Sequence, residues 1–227
     1  MGAMTLPIYI GYDRRETQAW HICAQSIIEK ASGPVSIHPI HDGMLGSTLG
    51  GTNSFHRCRF AIPDWQHWLG WAIWCDSDML WRVDPYELLS EKDNYCAVQV
   101  VKHDYQTQHA RKYRGSAMES DNLDYPRKNW SSLMLWNCGH RANRVLSPEF
   151  VADAPSQNLH RFEWISEKYV GELSPTWNHL IGEAPRNLGA KVYHWTLGVP
   201  TLDGGFYAQT EGAEEWMDTL KAANRCG

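Results

Sequence analysis

The chain has 227 residues, 43% of them apolar, and a formal net charge of −5. That is enough apolar chain for one sizeable core, so a single domain over residues 5–227 is expected, behind a Met1-Gly2-Ala3-Met4 opening that reads as an expression scar. The 21 basic residues form no dense block, which removes the electrostatic basis for a nucleic-acid partner.

Leu6 to Tyr12 (LPIYIGY) reads as a strand ended by Gly11. Thr17 to Ala31 follows with apolar residues at Trp20, Cys23, Ala24, Ile27 and Ile28, one face of a helix. Val35 to Ile40 alternates as a second strand, and the glycine-rich stretch Asp42 to Gly51 reads as a loop. Phe60 to Leu69 is expected to be helical, with Trp65 and Trp68 on one face, and leads into WAIWCDSDML from Trp71 to Leu80. There a five-residue apolar run ends in two aspartates that flank one serine, a D-x-D pattern. Such a run reads as a strand buried on both faces, so Asp76 and Asp78 fall where an α/β sheet gathers ligands. If extended backbone persists to Asp78, both carboxylates point one way with α-carbons roughly 6.5 Å apart, a span that one hard divalent cation bridges. Alone, the pair is also open to a solvated loop that caps the next turn.

Asp84-Pro85 starts a short helix. Cys96 to Val101 and Leu133 to Trp136 read as strands, and the polar segment Lys102 to Lys128 between them is either a functional loop or a plain surface excursion. Helical pieces follow Ser147-Pro148, then a strand at Lys191 to His194 and a last helix near Ala213 to Ala223. The alternation predicts a three-layer α/β/α architecture with a mostly parallel central sheet. Six cysteines form no C-x-x-C pair, which favours a reducing, cytoplasmic setting. No secretory signal opens the chain and no stretch approaches the roughly 20 apolar residues of a membrane span.

Six segments, IYIGYDRRE, FHRCRFAIP, WCDSDML, SSLMLWN, WISEKYVGELSPTWNHL and VYHWTLGVP, together resemble the GT-A-fold glycosyltransferases, in particular the metal-dependent family 8-like enzymes that use nucleotide sugars. They fall in the family's order and span residues 8 to 200. The resemblance implies a single GT-A-type domain that moves a hexosyl unit from a UDP-sugar to a saccharide or other hydroxyl acceptor, with retention. It implies Mn²⁺, or Mg²⁺, on Asp76, Asp78 and His194, and donor contacts from Tyr12, Asp13, Arg59, Ser77 and Asp78. Asp76, Asp78 and Glu163 would be the catalytic carboxylates, with Trp164 and Asn178 near the acceptor end.

The chemistry fits those residue types. Sugar transfer from a nucleoside diphosphate creates an anionic leaving group while the anomeric carbon turns cationic, so charge must be held in place. A carboxylate and imidazole set suits Mn²⁺ better than Ca²⁺. Tyr12 can stack on uracil and Asp13 can accept from its N–H, although Asp13 could equally cap the next helix. Only Gly11 marks this turn, so a dinucleotide fingerprint is missing. Arg59 offers a forked donor for phosphates. Arg57 reads as a surface cation and Glu163 is also open to being a solvated helix residue. Lys191, just before the histidine strand, is a further phosphate candidate, although the resembling enzymes carry their lysine after the histidine, in a G-x-x-K-P stretch that here reads Gly198-Val199-Pro200 with no lysine. Two other readings stay open: a metal-dependent phosphatase or nucleotidyltransferase, and a non-catalytic carbohydrate-binding protein. Haloacid dehalogenase-like phosphatases place their aspartates right after the first strand, unlike Asp76 and Asp78.

Overall fold

The computed structural model describes residues 5–41, 43–45, 56–202 and 204–225. It opens with β1 (Leu6–Gly11), α1 (Thr17–Lys30) and β2 (Val35–Ile40), where β1 and β2 pair in parallel from Leu6 beside Val35 to Gly11 beside Ile40. Helix α1 crosses between them and buries Ala19, Ile22, Cys23, Ala24, Ser26 and Ile27 along one stripe, the 3.6-residue period that an amphipathic helix requires. Most of the loop expected from Asp42 to Gly51 lies outside the described residues, as do residues 1–4; positions 43–45 form a turn.

The helix expected over Phe60 to Leu69 is broken into a 3₁₀ turn at Cys58–Phe60 and the single turn α2 (Ile62–Trp65). It stops because His67 and Trp68 take left-handed φ of 52° and 59°, and the Trp68 amide closes back on the Pro63 carbonyl at 2.8 Å. That is the closure of a Schellman-type helix end. Trp65 and Trp68 therefore share no helical face, and each packs separately against the core.

The remaining elements are β3 (Trp71–Cys75), β4 (Met79–Trp81), α3 (Pro85–Ser90), β5 (Val98–Val100), β6 (Arg111–Lys112), β7 (Ser120–Asp121) and β8 (Leu133–Asn137). After them come α4 (Pro148–Asp153), α5 (Ser156–His160), β9 (Val170–Glu172), β10 (His179–Leu180), β11 (Val192–His194) and α6 (Ala213–Ala223). The central sheet has the order β2-β1-β3-β8-β5-β9, and only β8 runs against its neighbours. The expected mostly parallel sheet is thus present in a single α/β domain.

Strand alternation divides the core between the two faces. Ala72 and Trp74 of β3, with Met134 and Trp136 of β8, face one cluster; Ile73 and Cys75, with Leu133 and Leu135, face the other. Both faces are covered, so these strands carry continuous apolar runs without polar interruption. A second small sheet, β10-β11-β4, hangs from the end of β3, and α6 packs on α1 beside it around Tyr193, Trp195 and Trp216. Cys23, Cys58, Cys75, Cys96 and Cys138 are buried. Among the described residues, no helix is long and apolar enough to cross a membrane.

Candidate active site

Beyond Cys75 the backbone does not stay extended. It turns at Ser77 and Asp78 and re-enters as β4, so the turn, and not the pleat of a continuing strand, brings the two carboxylates together. Each side of the turn is pinned: the Asp76 amide donates to the Ser132 carbonyl and the Trp195 amide to the Asp78 carbonyl, both at 2.9 Å. Strand β11 pairs antiparallel with β4, setting His194 beside Met79, and the imidazole Nε2 reaches to 3.3 Å from Asp78 Oδ1. Ligand atoms of Asp76, Asp78 and His194 all lie within 4.8 Å of one another.

A second layer of hydrogen bonds fixes the imidazole. Asn178 Nδ2 donates to Ser132 Oγ at 2.8 Å and to the Asn129 carbonyl at 3.3 Å, which leaves Asn178 Oδ1 as an acceptor, 2.8 Å from His194 Nδ1. The proton of a neutral His194 therefore sits on Nδ1, and Nε2 turns a lone pair toward the carboxylates. Asp78 Oδ1 is buried and accepts no hydrogen bond, and the equally buried Asp76 Oδ1 meets the Arg59 guanidinium at 3.0 Å. A lone pair and two carboxylate oxygens that converge with only the Arg59 charge on one side still repel one another, so the group fits a divalent ion. Burial pushes the Asp76 carboxyl above its ordinary range; Arg59 opposes that rise and Asp78 adds to it.

Arg59 is 5% exposed and held on three sides. It donates from Nη1 to the Ser131 carbonyl at 2.7 Å and from Nε to the His56 carbonyl at 3.0 Å, lies over the Trp74 ring, and presents Nη2 to Asp76 Oδ1 at 3.0 Å. These groups open on a cavity of about 610 Å³ lined also by Glu16, Ser77, Lys112, Tyr113, Tyr125 and His160. His160 Nδ1 lies 2.7 Å from Ser131 Oγ, and burial together with the Arg59 charge keeps this imidazole neutral, well below its usual pKa.

Of the sequence candidates, Arg59, Asp76, Ser77, Asp78 and His194 line this cavity, whereas Tyr12, Asp13 and Glu163 do not. Both Asp13 oxygens are taken by Arg15: Oδ1 accepts from its amide at 2.9 Å and its Nε at 3.0 Å, and Oδ2 from its Nη2 at 2.5 Å; burial opposes ionisation, but these bonds hold the carboxyl below its ordinary range. The Tyr12 hydroxyl lies 3.4 Å from Thr17 Oγ1 and its ring meets Trp20 edge-on. Glu163 is exposed, 3.9 Å from Arg161. Its neighbours explain this: Phe162, at a left-handed φ of 56°, and Trp164, stacked on Trp136, both turn into the core and leave Glu163 outside. Asn178 stands behind the imidazole. Lys191 pairs with Glu87 and Glu91 over the Trp177 ring, away from the cavity. Arg57 is no free surface cation, since it donates to the Ala152 and Ala154 carbonyls at the end of α4.

Sequence reasoning missed Glu16 and the 102–128 contributors. Glu16 is 8% exposed, its Oε1 has no hydrogen-bond partner and it does not cap α1. Burial, with Asp78 and Asp13 nearby, pushes its carboxyl up to about 8. Its place directly before α1 was visible in DRRE, but the closure of Arg15 onto Asp13, which leaves Glu16 as the cavity carboxylate, was not.

The fold and the turn site together define the GT-A type of glycosyltransferase fold. The chain superposes on the bifunctional glycosyltransferase WbbM with a TM-score of 0.67 at 12% identity, over 97% of this chain and 50% of that one, so it spans half of WbbM's length. On the galactosyltransferase LgtC, solved with donor and acceptor sugar analogues, the TM-score is 0.62 at 12% identity over 98% of each chain. For GlyE of Streptococcus pneumoniae it is 0.61 at 10% identity, over 96% of this chain and 60% of that one. No family model matches the chain. In sequence it is 35% identical over 231 residues to protein CDI of Arabidopsis thaliana, across 96% of this chain and 87% of that protein, and it belongs to the same family.

Proposed function

We propose that this protein transfers a hexosyl unit from a UDP-sugar to a hydroxyl acceptor, with Mn²⁺ held by Asp76, Asp78 and His194. The observation that carries this reading is the convergence of three ligand atoms within 4.8 Å at the wall of a large cavity, in a fold shared with glycosyltransferases. The bound ion supplies positive charge against the diphosphate of the donor. Arg59 adds a guanidinium whose position is set before any ligand enters, so that it loses little order on binding. Asn178 keeps the His194 lone pair directed at the ion site.

In the transfer, the bond between the anomeric carbon and the β-phosphate oxygen breaks and its electron pair stays on the diphosphate. The acceptor oxygen bonds to the anomeric carbon, and its proton passes to the departing phosphate. Asp76 and Asp78 would hold the ion and Glu163 faces solvent, which leaves Glu16 as the one described lining carboxylate free of the ion, so the pair of flanking carboxylates used in glycoside hydrolysis has no counterpart among the described lining residues. Retention, with the acceptor entering on the face the diphosphate leaves, is what the resemblance to the family 8-like enzymes implies.

Incubation with UDP-glucose or UDP-galactose is the test. UDP is expected to appear slowly with Mn²⁺, to stop with EDTA and to resume when Mn²⁺ is returned. Turnover indifferent to chelator contradicts the metal assignment, and sugar phosphate or inorganic phosphate as product contradicts the transfer.

A further inference from the structure

Three cationic side chains line the cavity: Arg59, Arg161 and Lys112. Arg59 is paired with Asp76 and Arg161 lies 3.9 Å from Glu163. Lys112 is half-buried and makes no ion pair among the described residues; its recorded neighbour is the Tyr113 ring, 5.7 Å from Nζ. It faces the same cavity as three carboxylates yet is neutralised by none of them.

This lysine is also held firmly. Strands β6 and β7 have two residues each, too short to be stable alone, so other contacts must fix the hairpin. The Tyr113 amide donates to the Leu197 carbonyl at 2.6 Å, tying the hairpin to the segment that leaves His194. The Arg114 amide donates to the Tyr207 hydroxyl at 3.1 Å. At the base of the hairpin, Lys128 Nζ donates to Asn122 Oδ1 at 2.6 Å, and Asn122 Nδ2 donates to Glu183 Oε1 at 2.8 Å, all three residues being buried. Tyr113 itself is 5% exposed at a left-handed φ of 54°, a conformation that a bulky residue keeps only where the surroundings over-determine it. Residues 195–200, WTLGVP, supply no cation of their own after His194.

We infer that Lys112 is the cation that binds the donor's diphosphate and neutralises it as it leaves, brought in by the hairpin between β5 and β8. The inference rests on the proposed transfer reaction. A compact ammonium acts as a point charge on phosphate, and in a half-enclosed cavity its effect exceeds that of a surface charge. It makes no bond to the sugar and moves no proton; its contribution grows as negative charge gathers on the diphosphate oxygens.

Titration of the parent, Lys112→Met and Lys112→Arg with UDP and with uridine, both in Mn²⁺ and followed by NMR, tests it. Lys112→Met is expected to lose about tenfold in UDP affinity and Lys112→Arg no more than about threefold, as for one charge-assisted phosphate contact. Uridine affinity and the ligand-free melting temperature should not change. Equal UDP affinity in Lys112→Met and the parent overturns the inference and leaves the transfer reaction standing. Parallel losses for UDP and uridine also overturn it, because a displaced hairpin would produce them. A parent that binds no UDP in Mn²⁺ overturns the transfer reading itself.

Discussion

Asp78→Ala is expected to lower transfer activity by about 10²- to 10³-fold, the usual effect of removing one preorganised charge-stabilising group. Its thermal midpoint should stay within a few degrees of the parent. The contacts that hold this turn run through the backbone, including the 2.9 Å bond from the Trp195 amide to the Asp78 carbonyl, and alanine keeps them. The side-chain oxygen Oδ1 has no hydrogen bond to lose, and its removal relieves crowding with Asp76. Activity near the parent level, measured as UDP release, contradicts a role for Asp78 on the ion; a variant that fails to fold contradicts the division between backbone support and side-chain function.

Arg59→Met is expected to do the reverse, with a large effect on stability as well as activity. The guanidinium is 5% exposed and compensates a carboxylate in a site without other cations in ion-pair reach of Asp76. Breaking a buried pair from one side typically costs about 3–5 kcal/mol, and the partial exposure of Asp76 argues for the lower end. The pH dependence has a definite sign. Burial already raises the Asp76 pKa and Arg59 opposes the rise, so its loss raises that pKa further. Below the raised value Asp76 is neutral and the penalty fades; above it the lone buried charge destabilises the variant. Urea unfolding at acid and neutral pH, without added metal, should show the deficit widening as pH rises. A deficit that is small and independent of pH contradicts the electrostatic account.

Much of the frame was legible from local pattern. β2 and α6 occupy the expected spans, Val35–Ile40 and Ala213–Ala223; in α6 the 3.6-residue period also appears in burial, with Ala213 and Trp216 turned inward, whereas β2 is half-buried along most of its length. The grouping of Asp76, Asp78 and His194 was legible through the ordered resemblance, with His194 far from the aspartates in sequence. What was not legible depends on long-range closure. Met79 to Trp81 continues the apolar run of β3, and nothing local shows that the chain turns at Ser77 and pairs β4 with β11, the step that delivers the imidazole. Asp13 and Glu16 are both acidic residues ahead of α1, and only the side-chain bonds from Arg15 decide which one faces the cavity. Lys112 lies in a polar stretch with no periodicity, and its role depends on the Tyr113 to Leu197 hydrogen bond, which no spacing announces. The resemblance placed Glu163 among the catalytic carboxylates, yet the rings on either side of it, Phe162 and Trp164, pack into the core and turn it away.

The central claim is that one divalent ion bridges the turn after β3 and the end of β11. Crystals grown with Mn²⁺ and UDP, measured for anomalous scattering at the manganese edge, test it most directly. A single peak coordinated by Asp76, Asp78 and His194 Nε2 is the predicted result. A peak elsewhere on the chain, or none at saturating Mn²⁺ with UDP bound, would contradict it.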